Sequence, residues 1–286
     1  MILEGRTLAA QIRQPLPQRA EVVRQKLGRP VCLRAIGSTE DYGAYVYLKK
    51  EVAAAQELGV DTKVFEVDNQ TPAAEFLALV KNLSADKNVD AILIPRPLPE
   101  HLAATPYADL LAPQKDIDGM SNINAGNLFL CKTWPEILAL KGFAPCTAMA
   151  VIRLLEYHQI PLAGAEAAVI GRSSTVGRPL AHLLTCKNAT VKICHTGTDL
   201  PRALKDADLV CSAAGKPGLL QADWLRPGAV VIDISTNWAD GRLCGDASPA
   251  QLEARGVSYS PVPGGVGPVT LAVLLENIVL SGERKI

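Results

Sequence analysis

Two spacings of apolar residues alternate along the first half of the chain. Apolar positions three and four residues apart predict amphipathic helices, and short aliphatic runs predict buried strands. Gly59 is typical of a helix end, and Thr71 with Pro72 is typical of a helix start. The predicted elements are helices over 7–27, 42–58 and 71–84, and strands over 31–36, 62–67 and 89–94. After the first helix, this order is β-α-β-α-β.

The same alternation returns in the second half of the chain. Thr147 is placed to cap a helix, and the turn Pro-Leu-Ala-Gly at 161–164 precedes the next strand. The predicted elements are helices over 147–157 and 176–187, and strands over 167–170, 190–194, 209–213 and 229–234. The sequence therefore predicts two α/β units without a short internal repeat.

Length and charge favour a globular protein of about two domains that binds a small molecule. The 286 residues are 48% hydrophobic, which supplies a substantial core. The 29 basic and 29 acidic residues balance without long runs of either sign. The sequence therefore gives no electrostatic reason to expect nucleic acid or an anionic membrane as a partner.

The apolar stretches near the two ends do not predict secretion or membrane insertion. Glu4 and Arg6 interrupt the start of the chain, and Glu276 with Asn277 interrupts the apolar stretch 269–280. We therefore expect a soluble cytoplasmic protein.

The cysteines do not predict a disulfide framework or a zinc ribbon. They are an odd number, scattered and without a C-x-x-C pair, so we expect reduced thiols. His182 and Cys186 would share a helix face, but further ligands nearby are missing from the sequence, so we expect no metal site. The cysteines are at positions 32, 131, 146, 186, 194, 211 and 244.

A glycine turn at 171–177 has the layout of a dinucleotide-binding turn. It joins a predicted strand to a predicted helix through Gly171, small polar residues and Gly177. The spacing G-x-S-x-x-x-G departs from the usual G-x-G-x-x-G, yet a glycine turn before a helix still presents N–H groups and a positive dipole end to a pyrophosphate. The alternative is that both glycines only permit close packing of the strand and helix.

The end of the next strand indicates which dinucleotide binds. NAD-binding folds commonly place an acidic residue there against the ribose, but the sequence at 193–198 is I-C-H-T-G-T. Arg172 beside Ser173 in the turn, and Thr196 at the strand end, suit an extra phosphate on the ribose. We therefore expect NADP, with a solvated surface role for Arg172 as the alternative.

Three motifs, in the same order, resemble those of the bifunctional methylenetetrahydrofolate dehydrogenase/cyclohydrolase family. They are G-R-S-S-T-V-G-R-P at 171–179, A-D-L-V-C-S-A-A-G-K-P at 207–217 and P-V-P-G-G-V-G-P-V-T at 261–270. Shorter matches are Y-V-Y-L-K-K at 45–50, K-D-I-D-G at 115–119, P-C-T-A at 145–148 and V-I-D-I-S at 231–235. The resemblance spans nearly the whole chain.

This resemblance implies an α/β fold of two domains. A catalytic folate-binding domain would comprise 1–144 and 268–286, including a C-terminal helix that returns to it. A Rossmann-like NADP-binding domain would comprise 145–267. The implied activity is NADP-dependent oxidation of methylenetetrahydrofolate to methenyltetrahydrofolate in one-carbon metabolism, by a homodimer.

The resemblance also implies roles for individual residues. Tyr45 would pack on the folate, Lys49 would serve the chemistry, and Asp118 would bind adjacent N–H donors of the pterin. By spacing, Tyr45 and Lys49 share one helix face, and a lysine needs a pKa lowered by burial to act as a base near neutral pH. The alternatives are two surface residues and a turn aspartate.

Further contacts are implied for the cofactor and the substrate. The remaining substrate contacts are Pro95, Pro263, Gly264 and Gly267. The cofactor contacts are Gly171, Arg172, Ser173, Val176, Gly177, His195, Thr196, Ala214, Gly215 and Thr236.

Departures from the family pattern cluster around the substrate residues. Tyr42 replaces the serine of S-x-x-Y-V-x-x-K, and Pro95 and Arg96 replace glutamine and leucine of V-Q-L-P-L-P. In the family that glutamine bonds the catalytic lysine, and Pro95 has no side-chain polar atom or N–H with which to do so. We therefore expect impaired cyclohydrolase activity. Other departures are the segment 119–124, Ala148, Gly197, Ser235 and Thr236.

Three hypotheses follow from this pattern. The first is a folate-dependent dehydrogenase with weak or absent cyclohydrolase activity. The second is an NADP oxidoreductase of the same fold that acts on another small substrate, and the third is a non-catalytic nucleotide-binding paralogue. Retention of Tyr45, Lys49 and Asp118 favours the two enzymes over the third hypothesis.

Overall fold

The computed structural model describes residues 1–239 and 241–286, which divide into two compact units. We name each unit after its parallel sheet. The three-stranded unit is Gln11–Asn127, Lys141–Ala144 and Leu274–Ile286. The five-stranded unit is Met1–Ala10, Leu128–Leu140 and Pro145–Val273.

This division differs from the predicted domains at the start of the chain. Residues 1–10 belong to the five-stranded unit because Leu3 N–H donates to the Tyr259 carbonyl, and Gly5 N–H donates to the Gly264 carbonyl, both at 2.8 Å. Residues 128–140 and 268–273, predicted for the catalytic domain, also belong to this unit.

The three-stranded unit has the predicted β-α-β-α-β order. Its sheet has the order β2-β1-β3, with all strands parallel. Leu33, Ala35 and Ile36 of the central strand are fully buried. The first elements of the chain are α1 (Arg6–Arg13), α2 (Leu16–Leu27), β1 (Cys32–Ser38), α3 (Tyr42–Glu57), β2 (Asp61–Val67), α4 (Ala73–Ala85) and β3 (Ala91–Leu93).

The single helix predicted over 7–27 is wrong, because the structure has two helices there. Pro15 lies between α1 and α2, lacks an N–H, and disfavours helical backbone at Gln14 before it. The later helix α3 starts as expected from its sequence, since the Asp41 carboxylate accepts a hydrogen bond from Ala44 N–H at 2.9 Å. The helix packs so close to β1 that only glycine fits at position 37. A Cβ there would lie 2.3 Å from Leu48 Cδ2.

Short helices fill the connection between the two predicted series. None was predicted, because four to nine residues give too little periodicity to recognise. They are α5 (Glu100–Ala103), α6 (Tyr107–Leu110), α7 (Asn122–Leu130) and α8 (Trp134–Leu138).

The five-stranded unit contains the second predicted series. Helix α9 (Cys146–Tyr157) starts one residue before Thr147, with Pro145 at the capping position, so the predicted cap at Thr147 is wrong. The elements that follow are β4 (Glu166–Ile170), α10 (Gly177–Cys186), β5 (Thr190–Cys194), α11 (Leu200–Leu204), β6 (Leu209–Ser212), β7 (Val230–Asp233), β8 (Asn237–Ala239), β9 (Arg242–Cys244), α12 (Pro249–Ala254), β10 (Ser258–Tyr259) and α13 (Val266–Glu283). The parallel sheet has the order β10-β7-β6-β4-β5, and β8 pairs with β9 as an antiparallel hairpin.

Helix α13 is long and apolar enough to span a membrane by length and composition alone. A buried core helix meets the same criteria. Leu275, Ile278 and Val279 are fully buried, and Asn277 Nδ2 donates to the Ile117 carbonyl at 2.8 Å. Its apolar side chains therefore have a role in the core of the fold.

Candidate active site

The turn between β4 and α10 leaves space only for glycine at two positions. Gly171 has a φ of 121°, and a Cβ there would lie 2.6 Å from the carbonyl oxygen of Ala213. A Cβ at Gly177 would lie 2.2 Å from the carbonyl oxygen of Gly171. The glycines therefore permit close packing, and the same close approach forms a cradle at the start of α10 that fits a pyrophosphate.

Ser173 shapes this turn from within. Its hydroxyl oxygen accepts hydrogen bonds from the backbone N–H groups of Val176 at 3.1 Å and Gly177 at 3.3 Å. These bonds satisfy donors that the start of α10 would otherwise leave open. Arg172, just before it, is exposed.

The end of β5 lies beside the same turn. Ile170 pairs with Cys194 in the sheet, and Gly171 N–H donates to the Cys194 carbonyl at 2.9 Å. Arg172 and Thr196, both exposed, therefore follow neighbouring strand ends at one edge of the sheet. This placement suits an arginine and a hydroxyl that bind a ribose phosphate.

His195 holds the loop after β5. Its backbone N–H donates to the Thr198 hydroxyl at 3.0 Å, and its Nδ1 accepts from Gly197 N–H at 3.1 Å. With Nδ1 as the acceptor, the ring proton of neutral His195 is on Nε2. The exposed ring therefore offers a hydrogen-bond donor.

Asp246, which the sequence reasoning missed, organises the loops that contain Ala214, Gly215 and Thr236. It is fully buried, and hydrogen bonds led by that of Ser212 outweigh its burial and lower the pKa of its carboxyl group. Its carboxylate accepts from the hydroxyls of Ser212 and Ser235 (both 2.6 Å), from Ala214 N–H (3.0 Å) and Lys216 N–H (2.8 Å), and from Asn237 Nδ2 (3.1 Å).

Asp233 is a second buried carboxyl group behind these loops. It accepts from Ala247 N–H at 2.9 Å and Ser235 N–H at 3.3 Å, and a Cβ at Gly245 would lie 2.0 Å from its Oδ2. Burial, with the charge of Asp246 adding to it, raises the pKa of Asp233 to about 6. The two aspartates are a coupled pair that fixes both loops.

In the segment K-D-I-D-G, most side chains have structural partners. Lys115 Nζ donates to the carbonyls of Ser84 at 2.7 Å and Asp86 at 2.6 Å. The Asp116 carboxylate accepts backbone hydrogen bonds of the turn from Met120 N–H and Ser121 N–H. Asp118 is partly exposed, as a substrate-binding carboxylate must be.

Tyr45 and Lys49 do share one face of α3, and that face is directed towards Glu66 on β2. The Tyr45 hydroxyl donates to Glu66 Oε1, Lys49 Nζ lies 3.8 Å from the same oxygen, and this nitrogen is 4.9 Å from the centre of the Tyr45 ring. The Lys49 side chain is half exposed. Hydrogen bonding with Tyr45, followed by the charge of Glu66, raises the pKa of Lys49. Lys49 is therefore a half-exposed cation beside Glu66, and its role in the chemistry stays a prediction.

The residue of α3 that is coupled to Asp118 is Glu51, which the sequence reasoning also missed. Glu51 is 7% exposed, and burial together with the charge of Asp118 raises its pKa to about 8. If the family pattern S-x-x-Y-V-x-x-K is shifted by two residues, Tyr47 takes the tyrosine position and Glu51 the lysine position. Burial and the coupling to Asp118 favour this second alignment, although fewer letters match.

The other predicted substrate residues are divided between the two units. Pro95 follows β3 in the three-stranded unit and is partly buried, next to the exposed Arg96. Pro263, Gly264 and Gly267 belong to the five-stranded unit. Gly264 has a φ of 118° and its carbonyl accepts from Gly5 N–H, so it has a structural reason to be glycine.

The predicted helix partners His182 and Cys186 are close to each other. Cys186 Sγ is 3.6 Å from His182 Nε2, and it is also directed to the Cys131 carbonyl at 3.5 Å. Among residues 1–239 and 241–286, no cluster of three metal-ligating side chains is found.

The parallel five-stranded sheet and the glycine cradle at the start of α10 define a Rossmann-type dinucleotide-binding unit, of the class that oxidoreductases use. Two family models match this chain. The catalytic domain of tetrahydrofolate dehydrogenase/cyclohydrolase matches residues 3–118, and the NAD(P)-binding domain of the same family matches residues 145–286.

Individual proteins show the same likeness over their full length. The bifunctional protein FolD of Elusimicrobium minutum is 51% identical over 288 residues, which is 100% of both chains. The crystal structure of the bifunctional FolD enzyme of Campylobacter jejuni has a TM-score of 0.91 and 35% identity, and covers 100% of this chain and 99% of that chain. The Trypanosoma brucei enzyme, complexed with NADP cofactor and inhibitor, has a TM-score of 0.89 and 29% identity, and covers 100% of this chain and 98% of that chain. This chain therefore belongs to the tetrahydrofolate dehydrogenase/cyclohydrolase family.

Proposed function

We propose that this protein oxidises methylenetetrahydrofolate to methenyltetrahydrofolate with NADP, in one-carbon metabolism. The observation that carries the proposal is the glycine cradle of Gly171 and Gly177, with Arg172 and Thr196 at the adjacent strand ends. Family membership favours this activity over a changed substrate or a non-catalytic role.

NADP, when bound, accepts the hydride, and the residues of the chain hold the reactants. The positive dipole end of α10 attracts the pyrophosphate into the glycine cradle, and Arg172 binds the ribose phosphate. Val176, His195, Thr196 and the loops with Ala214, Gly215 and Thr236 complete the cofactor contacts. On the substrate side, Asp118 accepts hydrogen bonds from the pterin, with Tyr45, Pro95, Pro263, Gly264 and Gly267 as further contacts.

Lys49 enters this proposal as a cation and not as a base. Its pKa is raised, so its ammonium group keeps its proton at neutral pH and is suited to pairing with an anionic part of the substrate. The hydrolysis of methenyltetrahydrofolate requires an aimed water and a basic group, and Pro95 opposes it because it has no side-chain polar atom or N–H. We therefore infer that cyclohydrolase activity is weaker than dehydrogenase activity.

A turnover assay with NADP and methylenetetrahydrofolate tests this function. We expect NADPH to form, and formyltetrahydrofolate to appear more slowly than NADPH. Tight NADP binding without NADPH formation would contradict the proposal and favour another substrate or a binding role.

Cofactor choice is tested by the dissociation constants of NADP and NAD. NADP should bind more tightly, and Arg172→Ala should weaken NADP by about 10-fold or more while it leaves NAD nearly unchanged. Arg202→Ala, a change of an exposed arginine on α11, is the matched control. Equal losses for the two cofactors in Arg172→Ala would contradict the role of Arg172.

We also propose a homodimer in the cytoplasm, with small molecules rather than nucleic acid or membranes as partners. Phe129, Leu130 and Leu138 of the five-stranded unit are 76%, 74% and 67% exposed, which is costly for apolar side chains in water. Sedimentation equilibrium measures the assembly. A monomer at micromolar concentration would contradict the dimer.

A further inference from the structure

Glu51 is an acidic residue on the buried face of a helix. Leu48, three residues before it, and Ala55, four residues after it, are both fully buried, so Glu51 lies on the apolar stripe of α3. Glu51 itself is 7% exposed, and among residues 1–239 and 241–286 its Oε2 atom has no hydrogen-bond partner. An ionised carboxylate is costly in such a place unless a cation or hydrogen bonds offset its burial.

Of the cations on α3, β1 and β2, Lys49, Arg34 and Lys63 lie beside other groups, and Lys50 is exposed. On α3 itself, Lys49 lies beside Glu66. Arg34 of β1 bonds Asp61 of β2 at 2.8 Å. Lys63 of β2 lies 4.7 Å from the centre of the Phe65 ring, and Arg13 of α1 donates to Glu57 of α3 at 3.4 Å.

The charge that does act on Glu51 is that of Asp118. Burial is the larger cause and the like charge of Asp118 the smaller, and together they raise the pKa of Glu51 to about 8. At neutral pH Glu51 therefore keeps its proton beside Asp118.

The reaction creates a positive charge at the substrate. When the methylene bridge loses a hydride, its C–H bond breaks and the electron pair leaves with the hydrogen. The substrate is oxidised, NADP is reduced, and the bridging carbon with its two nitrogens is left as a delocalised cation. A carboxylate nearby stabilises such a cation in a site of low dielectric constant.

We propose that Glu51 is a second carboxyl group of the substrate site, which stays neutral beside Asp118 and ionises when the cationic methenyl product forms. The proton of Glu51 leaves to solvent, and the pair then carries two negative charges against one positive charge. Glu51 is a positioning residue that acts with Asp118, and this inference rests on the proposed dehydrogenase function.

The first test uses the protein without substrate. A carboxyl group whose pKa is raised by folding stabilises the protein fully below its unfolded pKa, and this stability is lost as pH rises through the folded value. The urea midpoint of the unmodified protein should therefore fall between about pH 5 and about pH 9. Glu51→Gln, which cannot ionise, should show a smaller fall, and Asp118→Asn should shift the fall to lower pH because it removes the like charge.

The second test measures the pH profile of kcat/KM for methylenetetrahydrofolate. In the unmodified protein, kcat/KM should rise through an apparent pKa near 8, where Glu51 ionises. Glu51→Gln should remove this rise and lower kcat by about 10-fold or more, while NADP affinity is unchanged. Glu57→Gln, on the exposed side of the same helix, is the matched control and should keep the profile.

The two tests separate this inference from the proposed function. If the unmodified protein forms no NADPH, both are overturned. The unmodified protein can form NADPH while Glu51→Gln shows the same pH profiles of turnover and of unfolding as the unmodified protein. In that case only the role of Glu51 is overturned. If Glu51→Gln does not fold, the Asp118→Asn variant decides. The pairing is overturned if the urea midpoint of Asp118→Asn falls at the same pH as that of the unmodified protein, and it is supported if the midpoint falls at lower pH.

Discussion

The Ser212 hydroxyl donates to Asp246 Oδ2 at 2.6 Å, and the Ser235 hydroxyl donates to the same oxygen at the same distance. Ser212 ends β6 and Ser235 follows β7, so one carboxylate joins two neighbouring strand ends. The loops that follow these strands contain the proposed cofactor contacts Ala214, Gly215 and Thr236.

Asp246→Asn should therefore weaken cofactor binding. An asparagine has one accepting oxygen in place of two, so at least one hydrogen-bond donor in the loops is left unsatisfied, at a cost of about 1–3 kcal/mol. We expect the dissociation constant of NADP to rise by about 10-fold, measured by fluorescence titration. Asp223→Asn, at an exposed site of the same unit, is the control, and an unchanged constant in Asp246→Asn would contradict the role of Asp246.

Gly177→Ala should damage both the turn and cofactor binding. The added Cβ would lie 2.2 Å from the carbonyl oxygen of Gly171, and backbone atoms cannot move aside cheaply. We expect a loss of about 1–3 kcal/mol in the free energy of unfolding, with weaker NADP binding. Gly126→Ala is the control, because a Cβ there meets no atom within 4 Å. Retained stability and NADP affinity in Gly177→Ala would show that the cradle is wrongly described.

The order of the long elements was predictable from the sequence, and the strand over 190–194 was predicted with its observed bounds. Periodicity failed where it was interrupted or too short, as at Pro15 and in α5 to α8. The glycine turn was also predictable, because its chemistry lies in consecutive residues.

Asp246 and Glu51 were not predicted, for two different reasons. The partners of Asp246 come from two separate segments, although Ser212, Ser235 and Asn237 at two strand ends were a signal that a buried acceptor joins them. Glu51 was missed because Lys49 matched the family pattern by letter. The available signal was an acidic residue on the stripe that contains Leu48 and Ala55.

Asp90 should make folding sensitive to acid. It is 1% exposed, and its burial opposes ionisation, but hydrogen bonds from Arg29 and Lys285 outweigh this and lower the pKa of Asp90. A lowered folded pKa contributes stability above the unfolded pKa, and this contribution is lost as pH falls through the folded value. Asp90→Asn should cost about 3 kcal/mol in the free energy of unfolding at pH 7, and the difference should shrink below about pH 4.

Urea unfolding at both pH values checks the prediction for Asp90. Asp61→Asn is its control, because the Asp61 side chain is 51% exposed in its pair with Arg34 and should contribute about 1 kcal/mol or less. Equal losses in the two variants would contradict a special role for Asp90.

Lys49→Met should raise KM for the folate substrate with little effect on kcat. Its raised pKa keeps Lys49 protonated, so it can contribute attraction but not general base catalysis. Steady-state kinetics with Lys50→Met, the exposed neighbour, provides the comparison. A loss of about 100-fold in kcat for Lys49→Met alone would contradict this, and would restore Lys49 as the residue that serves the chemistry.

Hydrolysis of methenyltetrahydrofolate should be slow, and one substitution should not restore it. In the family pattern, a glutamine bonds a lysine, whereas this chain has Pro95 at the glutamine position and, in the alignment that the structure favours, Glu51 at the lysine position. Pro95→Gln alone would place an amide near a carboxyl group, and Glu51→Lys alone would lack the amide that orients the lysine.

The double variant Glu51→Lys with Pro95→Gln should therefore gain more hydrolysis than the sum of the two single changes, because the two side chains act as a unit. We expect formyltetrahydrofolate to form about 10-fold faster than the two single changes together would give if they acted independently, an interaction free energy of about 1.4 kcal/mol. A spectrophotometric assay of methenyltetrahydrofolate loss measures this, with Lys49→Met added to the double variant as the control. If that control abolishes the gain, or if Pro95→Gln alone gives the full gain, then Lys49 and not position 51 carries hydrolysis.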